Sequence, residues 1–156
     1  MITVSAFKNT SSELVVSSMH FPKVILPNDK DIDFEILLPF IQKSDFVFCF
    51  GQKPGLKDRI CIEIIANDNG NIIQTDFDID TFEKILLATG VQSKRSFNPG
   101  KSFCNTVYYK SLKYIESNKI NCRLVFIHVP YINRICDIKE FTMKLENAIS
   151  TYPNKY

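Results

Sequence analysis

An α/β fold follows from two patterns in the sequence. Extended apolar segments alternate with helix-like segments almost from end to end, and one of them, Asp45–Phe50, is apolar nearly throughout. The alternation predicts a mainly parallel, twisted sheet with helices on both faces, a three-layer α/β/α arrangement. A near-continuous apolar strand is what burial on both faces requires. A third observation makes the sheet mixed. The run Arg59–Ala66 follows Asp45–Phe50 across about eight residues, too few for a helical crossover, so these two are expected to pair antiparallel. The 156 residues suit one domain with a single core, and no linker, repeat or low-complexity segment divides them.

Each element has its own warrant. Met1–Phe7 reads as a strand, with Ile2, Val4 and Ala6 alternating with other residues. Asn9-Thr10-Ser11-Ser12 is a turn and cap cluster that opens a short helix near Ser11, with Glu13 in its first turn. Lys23–Leu26 is a strand stopped by Pro27-Asn28-Asp29. Asp31–Lys43 is helical, its apolar face expected at Ile32, Ile36, Leu37 and Phe40. After the strand at Asp45–Phe50 comes the loop Gly51-Gln52-Lys53-Pro54-Gly55, then the strand Arg59–Ala66 and a strong turn signal, Asn67-Asp68-Asn69-Gly70-Asn71. Asp80–Thr89 is a helix closed by Gly90, followed by a strand at Val91–Phe97 and a turn at Pro99-Gly100. Cys104–Ser117 is a helix, Cys122–Val129 a strand closed by Pro130, and Ile138–Ile149 a helix with Phe141, Leu145 and Ile149 on one face. Thr151–Tyr156 reads as a tail.

Composition excludes several function classes. A net charge of +2, with lysines scattered rather than striped, gives no electrostatic case for nucleic acid. No apolar run is long enough to span a membrane and the N-terminus lacks a signal-peptide pattern, so the expected location is cytoplasmic. Five cysteines, an odd number, point to reduced thiols rather than a disulfide framework. No CxxC or His-rich pairing suggests a metal site, and no cofactor is expected.

Three residues carry chemistry. Cys104 opens a helix, where unpaired N–H groups and a partial positive charge favour a thiolate. His128 ends an apolar strand, and Glu63 interrupts another. Thiolate, base and a carboxylate to orient the base are the parts of a nucleophilic triad. Taken singly, each also fits a bland role: Cys104 as a packed core thiol, His128 as a satisfied histidine at a sheet edge, Glu63 as a solvent-facing side chain beside Cys61 and Ile65. Spacing alone does not choose among these. Cys49 and Cys61 lie within strands and are expected to pack, and Asp137 would disfavour a thiolate at Cys136. His20 lies in a surface turn.

Five segments, in order, resemble the pyroglutamyl peptidase I family of cysteine peptidases. They are Asn9-Thr10-Ser11-Ser12-Glu13, Phe50-Gly51-Gln52, Ile62-Glu63-Ile64-Ile65-Ala66-Asn67, Gly100-Lys101-Ser102-Phe103-Cys104-Asn105 and Phe126-Ile127-His128-Val129-Pro130. The resemblance implies Cys104 as nucleophile, His128 as general base and acid, and Glu63 as the residue that orients His128. It implies Gln52, Asn9 and Phe7 on the substrate side, a peptide with a blocked N-terminus as partner, and a homo-oligomer, for which Tyr108, Tyr109 and Tyr114 offer aromatic surface if they do not pack within the monomer. The reaction implied is removal of N-terminal pyroglutamate through a thioester, with backbone N–H groups at the start of the Cys104 helix as oxyanion donors.

The departures from the family pattern are specific. The family's loop between the first strand and the Asn-Pro-Ser segment is essentially absent, since Asn9 follows Phe7 almost directly. The family's Glu-Arg pair is Glu63-Ile64, and no arginine follows in Asn67–Ile73. A lost apolar pocket wall is worth about 1–3 kcal/mol of discrimination, and a lost oxyanion donor about 10²–10³ in rate. Two other functions therefore stand beside the first: a hydrolase of the same scaffold with another substrate, and a non-catalytic binding or assembly protein.

Overall fold

The computed structural model describes residues 1–154. Eight strands and five α-helices alternate in chain order: β1 (Ile2–Phe7), α1 (Ser11–Ser17), β2 (Lys23–Leu26), α2 (Asp33–Ile41), β3 (Phe46–Gln52), β4 (Arg59–Glu63), β5 (Ile65–Asp68), β6 (Asn71–Gln74), α3 (Ile79–Thr89), β7 (Gln92–Ser96), α4 (Phe103–Asn118), β8 (Arg123–Val129) and α5 (Ile138–Thr151). Six strands form one sheet in the order β2-β1-β3-β8-β4-β7. The first four are parallel, while β4 and β7, parallel to each other, run against β8. The sheet is therefore mixed and mainly parallel, as the alternation of elements implies.

Period-two alternation divides the core into two layers. Val4, Ala6, Phe48, Phe50, Val125 and Ile127 face a cluster that takes in α1, α3 and α5. Phe7, Val47, Cys49, Leu124 and Phe126 face a second cluster built with α2 and α4. Helices thus cover both faces, and α4, which carries Cys104, lies over the odd-numbered face of β3.

Several sequence expectations need correction. Arg59–Ala66 is not one strand and does not pair with β3; it breaks at Ile64, and its antiparallel partner is β8. The apolar β8 pairs with β3 along its whole length, from Phe46 opposite Arg123 to Gln52 opposite Val129, and so takes that edge of β3. Ile64 N–H donates to Ser96 O while Ile64 O accepts from Thr75 N–H, which turns the chain out of the sheet. Beyond it β5 and β6 form a separate hairpin closed by Asn69 (φ 49) and Gly70 (φ 90), the left-handed pair that a two-residue hairpin loop demands.

Of the expected face of α2, Leu37 is buried and Phe40 packs partly buried against the core, but Ile32 and Ile36 are exposed, and Asp33 and Ile41 are buried in their stead. The Asp33 carboxylate is turned inward to accept from the Asp29 N–H, which sets the helix one residue out of the expected phase. The expected tail contributes to the core through Tyr152: α5 runs on to Thr151, and the fully buried Tyr152 ring stacks on Phe77 at 4.4 Å. The last two residues of that segment lie outside the described residues. Tyr108 is fully buried, and Tyr114 packs on Phe34 and accepts a hydrogen bond from Gln42, so these tyrosines serve the monomer's own packing. Gly90 closes α3 in the left-handed region as expected, its N–H reaching Leu86 O and Leu87 O. No helix among the described residues is long and apolar enough to cross a membrane.

Candidate active site

Strand register brings the expected residues together. Gly51 of β3 lies opposite His128 of β8, and Cys61 of β4 lies opposite His128 on its other side. Glu63 is two residues along β4 from Cys61, so it shares a face with Cys61 and His128. That face is the one α4 covers. The sheet thus presents Gly51, Glu63 and His128 toward the start of the helix that carries Cys104.

His128 and Glu63 form a buried pair. The imidazole Nδ1 lies 2.8 Å from Glu63 Oε1, with side chains 5% and 1% exposed. An ionised carboxylate can only accept, so Nδ1 carries the hydrogen and Nε2 is left as the acceptor nitrogen. Burial works to raise the Glu63 pKa, but hydrogen bonds from His128, Lys53 and Ser96 hold it below the usual carboxylate range. The solvent-facing reading of Glu63 is therefore wrong. The sheet needs the space: Tyr108 Oη donates to the Glu63 carbonyl at 2.8 Å and closes α4 over it.

The nucleophile candidate sits in a gap that a side chain would fill. A Cβ placed on Gly51 would lie 2.6 Å from Cys104 Sγ, 3.1 Å from His128 Cδ2 and 3.1 Å from Phe126 Cε1. Cδ2 is bonded to Nε2, so the free nitrogen of His128 is on the thiol's side of the ring. Among the described residues the side-chain hydrogen bond of His128 goes to Glu63 alone. No hydrogen bond joins Cys104 to the His128 ring among the described residues, and unliganded sites commonly hold such contacts long.

Burial pushes the Cys104 thiol up to about 11, and the charges of Glu63 and Asp33 add to this against the Ser102 hydroxyl and the Cys104 N–H. The expectation of a readily ionised thiol is thus overturned for the resting state. Desolvation of the buried thiol works against the helix end.

The start of α4 leaves backbone donors uncapped. Thr10, Asp78 and Asp137 cap α1, α3 and α5 with side-chain oxygens, whereas neither Ile32 at α2 nor Ser102 at α4 makes a side-chain cap hydrogen bond. The first N–H to close a helical turn is that of Thr106, to Ser102 O. The N–H groups of Phe103, Cys104 and Asn105 therefore lack helical acceptors, as at any helix start. Asn105 fixes their position: its Nδ2 donates to Asn67 O at 2.7 Å and its Oδ1 accepts from Asn67 N–H at 2.9 Å. The helix end is pinned to the β5–β6 hairpin by two bonds of one side chain.

The expected substrate-side residues are spread around this centre. Gln52 ends β3, and its Oε1 accepts from Ser11 N–H (2.9 Å) and Ser11 Oγ (3.2 Å). Holding the oxygen there orients the two donors of Nε2 away from α1. Phe7 is buried against Phe126 at 6.3 Å, and Phe126 in turn meets the His128 ring at 5.1 Å. Phe7 thus supports the wall behind His128. Asn9 is exposed with φ 60, and its N–H donates to Glu13 Oε2, a contact that shapes the start of α1. A pocket of about 770 Å³ opens beside the first turn of α4, lined by Lys30, Asn67, Asn98, Lys101, Asn105 and Thr106 among others; Cys104, His128 and Glu63 do not line it.

Two residues escaped the sequence reading. Gly51 is a strand residue whose missing side chain makes room for Sγ, and Lys53 sits on Glu63, its Nζ 2.8 Å from Oε1. The sequence reading placed Gly51 and Gln52 in the loop after Asp45–Phe50, whereas β3 runs on through both of them, and a glycine inside a strand marks a close approach. The role of Lys53 depends on β4 lying beside β8, which local patterns do not reveal.

Of the remaining cysteines, Cys61 packs beside the site, its Sγ 3.8 Å from Glu63 Oε1, while Cys136 and His20 lie apart from it. Cys49 and Cys61 are buried, and the exposed Cys136 thiol is raised by its hydrogen bond to Asp58 rather than by Asp137. His20 is exposed against Glu146. No group of three or more metal-ligating side chains occurs among the described residues.

The chain is similar to known proteins in sequence and in fold. The sequence profile of the family described as pyroglutamyl peptidase matches residues 74–151. A pyrrolidone-carboxylate peptidase of Brachyspira hyodysenteriae is 27% identical over 152 residues, which span 83% of this chain and 73% of that protein. Its counterpart in Clostridium botulinum is 27% identical over 150 residues, 83% of this chain and 69% of that protein. Among solved structures, a mutant pyrrolidone carboxyl peptidase of Pyrococcus furiosus superposes with a TM-score of 0.84 at 19% identity, covering 99% of this chain and 98% of that one. The pyroglutamyl peptidase I of Bacillus amyloliquefaciens superposes with a TM-score of 0.79 at 18% identity, over 94% and 93%. At such identities the superpositions speak for a shared fold.

Proposed function

The chain belongs to the pyroglutamyl peptidase family, and from that premise we propose that it is a cysteine peptidase that releases pyroglutamate from peptide N-termini. One observation carries the reading: Cys104 Sγ and the Nε2 edge of His128 flank the same gap at Gly51, while Nδ1 of that ring is held by Glu63 at 2.8 Å. Nucleophile, base and orienting carboxylate thus stand in the sequence that acyl transfer requires.

The chemistry follows from these positions. Nε2 takes the thiol proton as Sγ attacks the α-carbonyl carbon of the pyroglutamyl residue. Glu63 stabilises the imidazolium that forms. The oxyanion develops toward the N–H groups of the first turn of α4, which Asn105 holds in place and no side chain caps. The imidazolium then protonates the departing amine and the thioester is left. Water, activated by the neutral imidazole, attacks the thioester carbonyl, and the thiol recovers its proton. Burial works against a standing thiolate at Cys104, which gives His128 the task of taking the proton. The Nε2 donors of Gln52 suit the lactam carbonyl of the pyroglutamyl ring.

A second reading is favoured by one feature: only Lys8 and Asn9 separate β1 from the cap residue Thr10, so little chain is available there to wall off a lactam ring. It is a hydrolase of the same mechanism acting on a different acyl group. Turnover of a pyroglutamyl aminomethylcoumarin separates the two. The first reading expects turnover that Cys104→Ser abolishes. Selective labelling of Cys104 by a thiol-directed probe without such turnover would favour the second. No labelling and no turnover by concentrated protein would sink both.

A further inference from the structure

The buried carboxylate at the centre of the site is shared. Glu63 Oε1 accepts from His128 Nδ1 at 2.8 Å and from Lys53 Nζ at 2.8 Å. The Glu63 side chain is 1% exposed and that of Lys53 28%, so the ammonium reaches in from the rim while its stem stays near water. The same Nζ also meets Ser96 Oγ and Asn98 O, each at 3.4 Å. Asn98 stands in the loop that runs from β7 to the cysteine. Lys53 itself is fixed at the end of β3, its N–H donating to Val129 O.

We propose that Lys53 is a positioning residue for the Cys104–His128 pair. Its ammonium holds Glu63 in the carboxylate form, aims Oε1 at His128, and ties that carboxylate to the Ser96–Asn98 segment leading to the nucleophile. This role rests on the proposed pairing of Cys104 with His128, and not on which acyl group the site accepts.

The argument is one of charge balance. A carboxylate this buried is costly unless paired. A neutral imidazole supplies a hydrogen bond but no charge, so in the resting site the compensating cation is Lys53. Without it, the site would recover balance by keeping a proton on the Cys104–His128 pair. A cation in place has the opposite effect and favours a thiolate at Cys104. The other groups that bear on the pair are fixed by the fold. Cys61 of β4 lies 3.8 Å from Glu63 and 4.0 Å from Lys53 Nζ, and the charge of Lys94 on β7 acts on Cys61. Asp33 of α2 acts on Cys104, and Cys104 acts on Cys49 of β3. Among these, Lys53 is the cation in contact with the carboxylate.

The test reads the thiol directly. The rate of Cys104 alkylation by iodoacetamide is followed against pH by peptide-resolved mass spectrometry, in a Cys136→Ser background that removes the exposed thiol. Lys53→Met is expected to move the midpoint of the alkylation profile upward by about one pH unit, and Lys53→Arg to restore it. Should Lys53→Met fail to fold, the same substitution in a Glu63→Gln background leaves no buried carboxylate unpaired. There the lysine should lose its effect, because no carboxylate remains for it to hold: the midpoint of the double variant should stay near that of Glu63→Gln alone, and a full further shift would overturn a role that acts through Glu63. A folded Lys53→Met protein with an unmoved profile would overturn the proposal, whether or not pyroglutamyl substrates are turned over. A shifted profile without pyroglutamyl turnover would instead keep Lys53 in its role and discard the substrate.

Discussion

Gly51→Ala is a one-carbon perturbation aimed at the nucleophile. The added Cβ would lie 2.6 Å from Cys104 Sγ, where ordinary contact between non-bonded heavy atoms begins at about 3.5 Å. The sulfur must therefore retreat by about 1 Å. His128 Cδ2 and Phe126 Cε1, each at 3.1 Å from the same point, close off two of the ways in which strain might be relieved. Gly51 has no positive φ, so alanine meets no backbone penalty there and the effect is steric alone. Displacing a reacting atom by about 1 Å costs on the order of 10² in rate. Overpacking a core position costs about 1–3 kcal/mol, which at this size lowers Tm by about 2–4 °C for each kcal/mol. The assay is kcat/KM on the pyroglutamyl coumarin, with the Cys104 alkylation rate and a thermal melt alongside. Both rates should fall by about 10², with a protein that still melts cooperatively. A folded Gly51→Ala variant with wild-type alkylation and turnover would refute the placement of Sγ in that gap.

Two further substitutions test the shell around it. Glu63→Gln preserves shape but removes the charge, and kcat/KM should fall by about 10²–10⁴. It should also flatten the acid dependence of stability. The folded-state pKa of Glu63 is depressed, so its contribution is complete above the ordinary glutamate value of about 4.3 and is lost as pH falls through the lower, folded value. Urea midpoints measured down to about pH 3 should drop more steeply for the wild type than for Glu63→Gln. Asn105→Ala removes both bonds to Asn67 and should cost about 2 kcal/mol of stability, read by urea unfolding, with kcat falling further than substrate affinity because the first-turn N–H groups lose their anchor.

The elements that were legible in the sequence are those whose signal is local. Gly90 at the end of α3, the Phe141–Leu145–Ile149 stripe of α5, and Asn69-Gly70 at the hairpin each depend on a few neighbouring residues, and each is found where expected. The partner of β4 was not legible, because pairing is decided by which strand already occupies the edge of β3, a contest between segments far apart in sequence. The same distance explains the site. Cys104, His128 and Glu63 stood out by type, and their ordered context gave the family resemblance. Lys53 did not stand out, since a lysine in a loop after a strand has no local mark until β4 is set beside β8. The phase of α2 failed for a related reason: a buried Asp33 satisfied by Asp29 N–H counts as polar in any periodicity and as core in the fold.

The reversed direction of β4 gives the site a stator and a jaw. Glu63, Gly51 and His128 hang from three adjacent strands of one ladder, and sliding any strand by one residue would swing its side chain to the opposite face. That half can loosen only when the sheet itself comes apart. Cys104 belongs to the other half, a helix end held by the Asn105–Asn67 clasp and approached by a loop with Asn98, Gly100 and Lys101 at the surface. Wear, thermal agitation and adaptation to new leaving groups will therefore fall on the jaw, while the grip of carboxylate on imidazole keeps the alignment of the sheet as a whole.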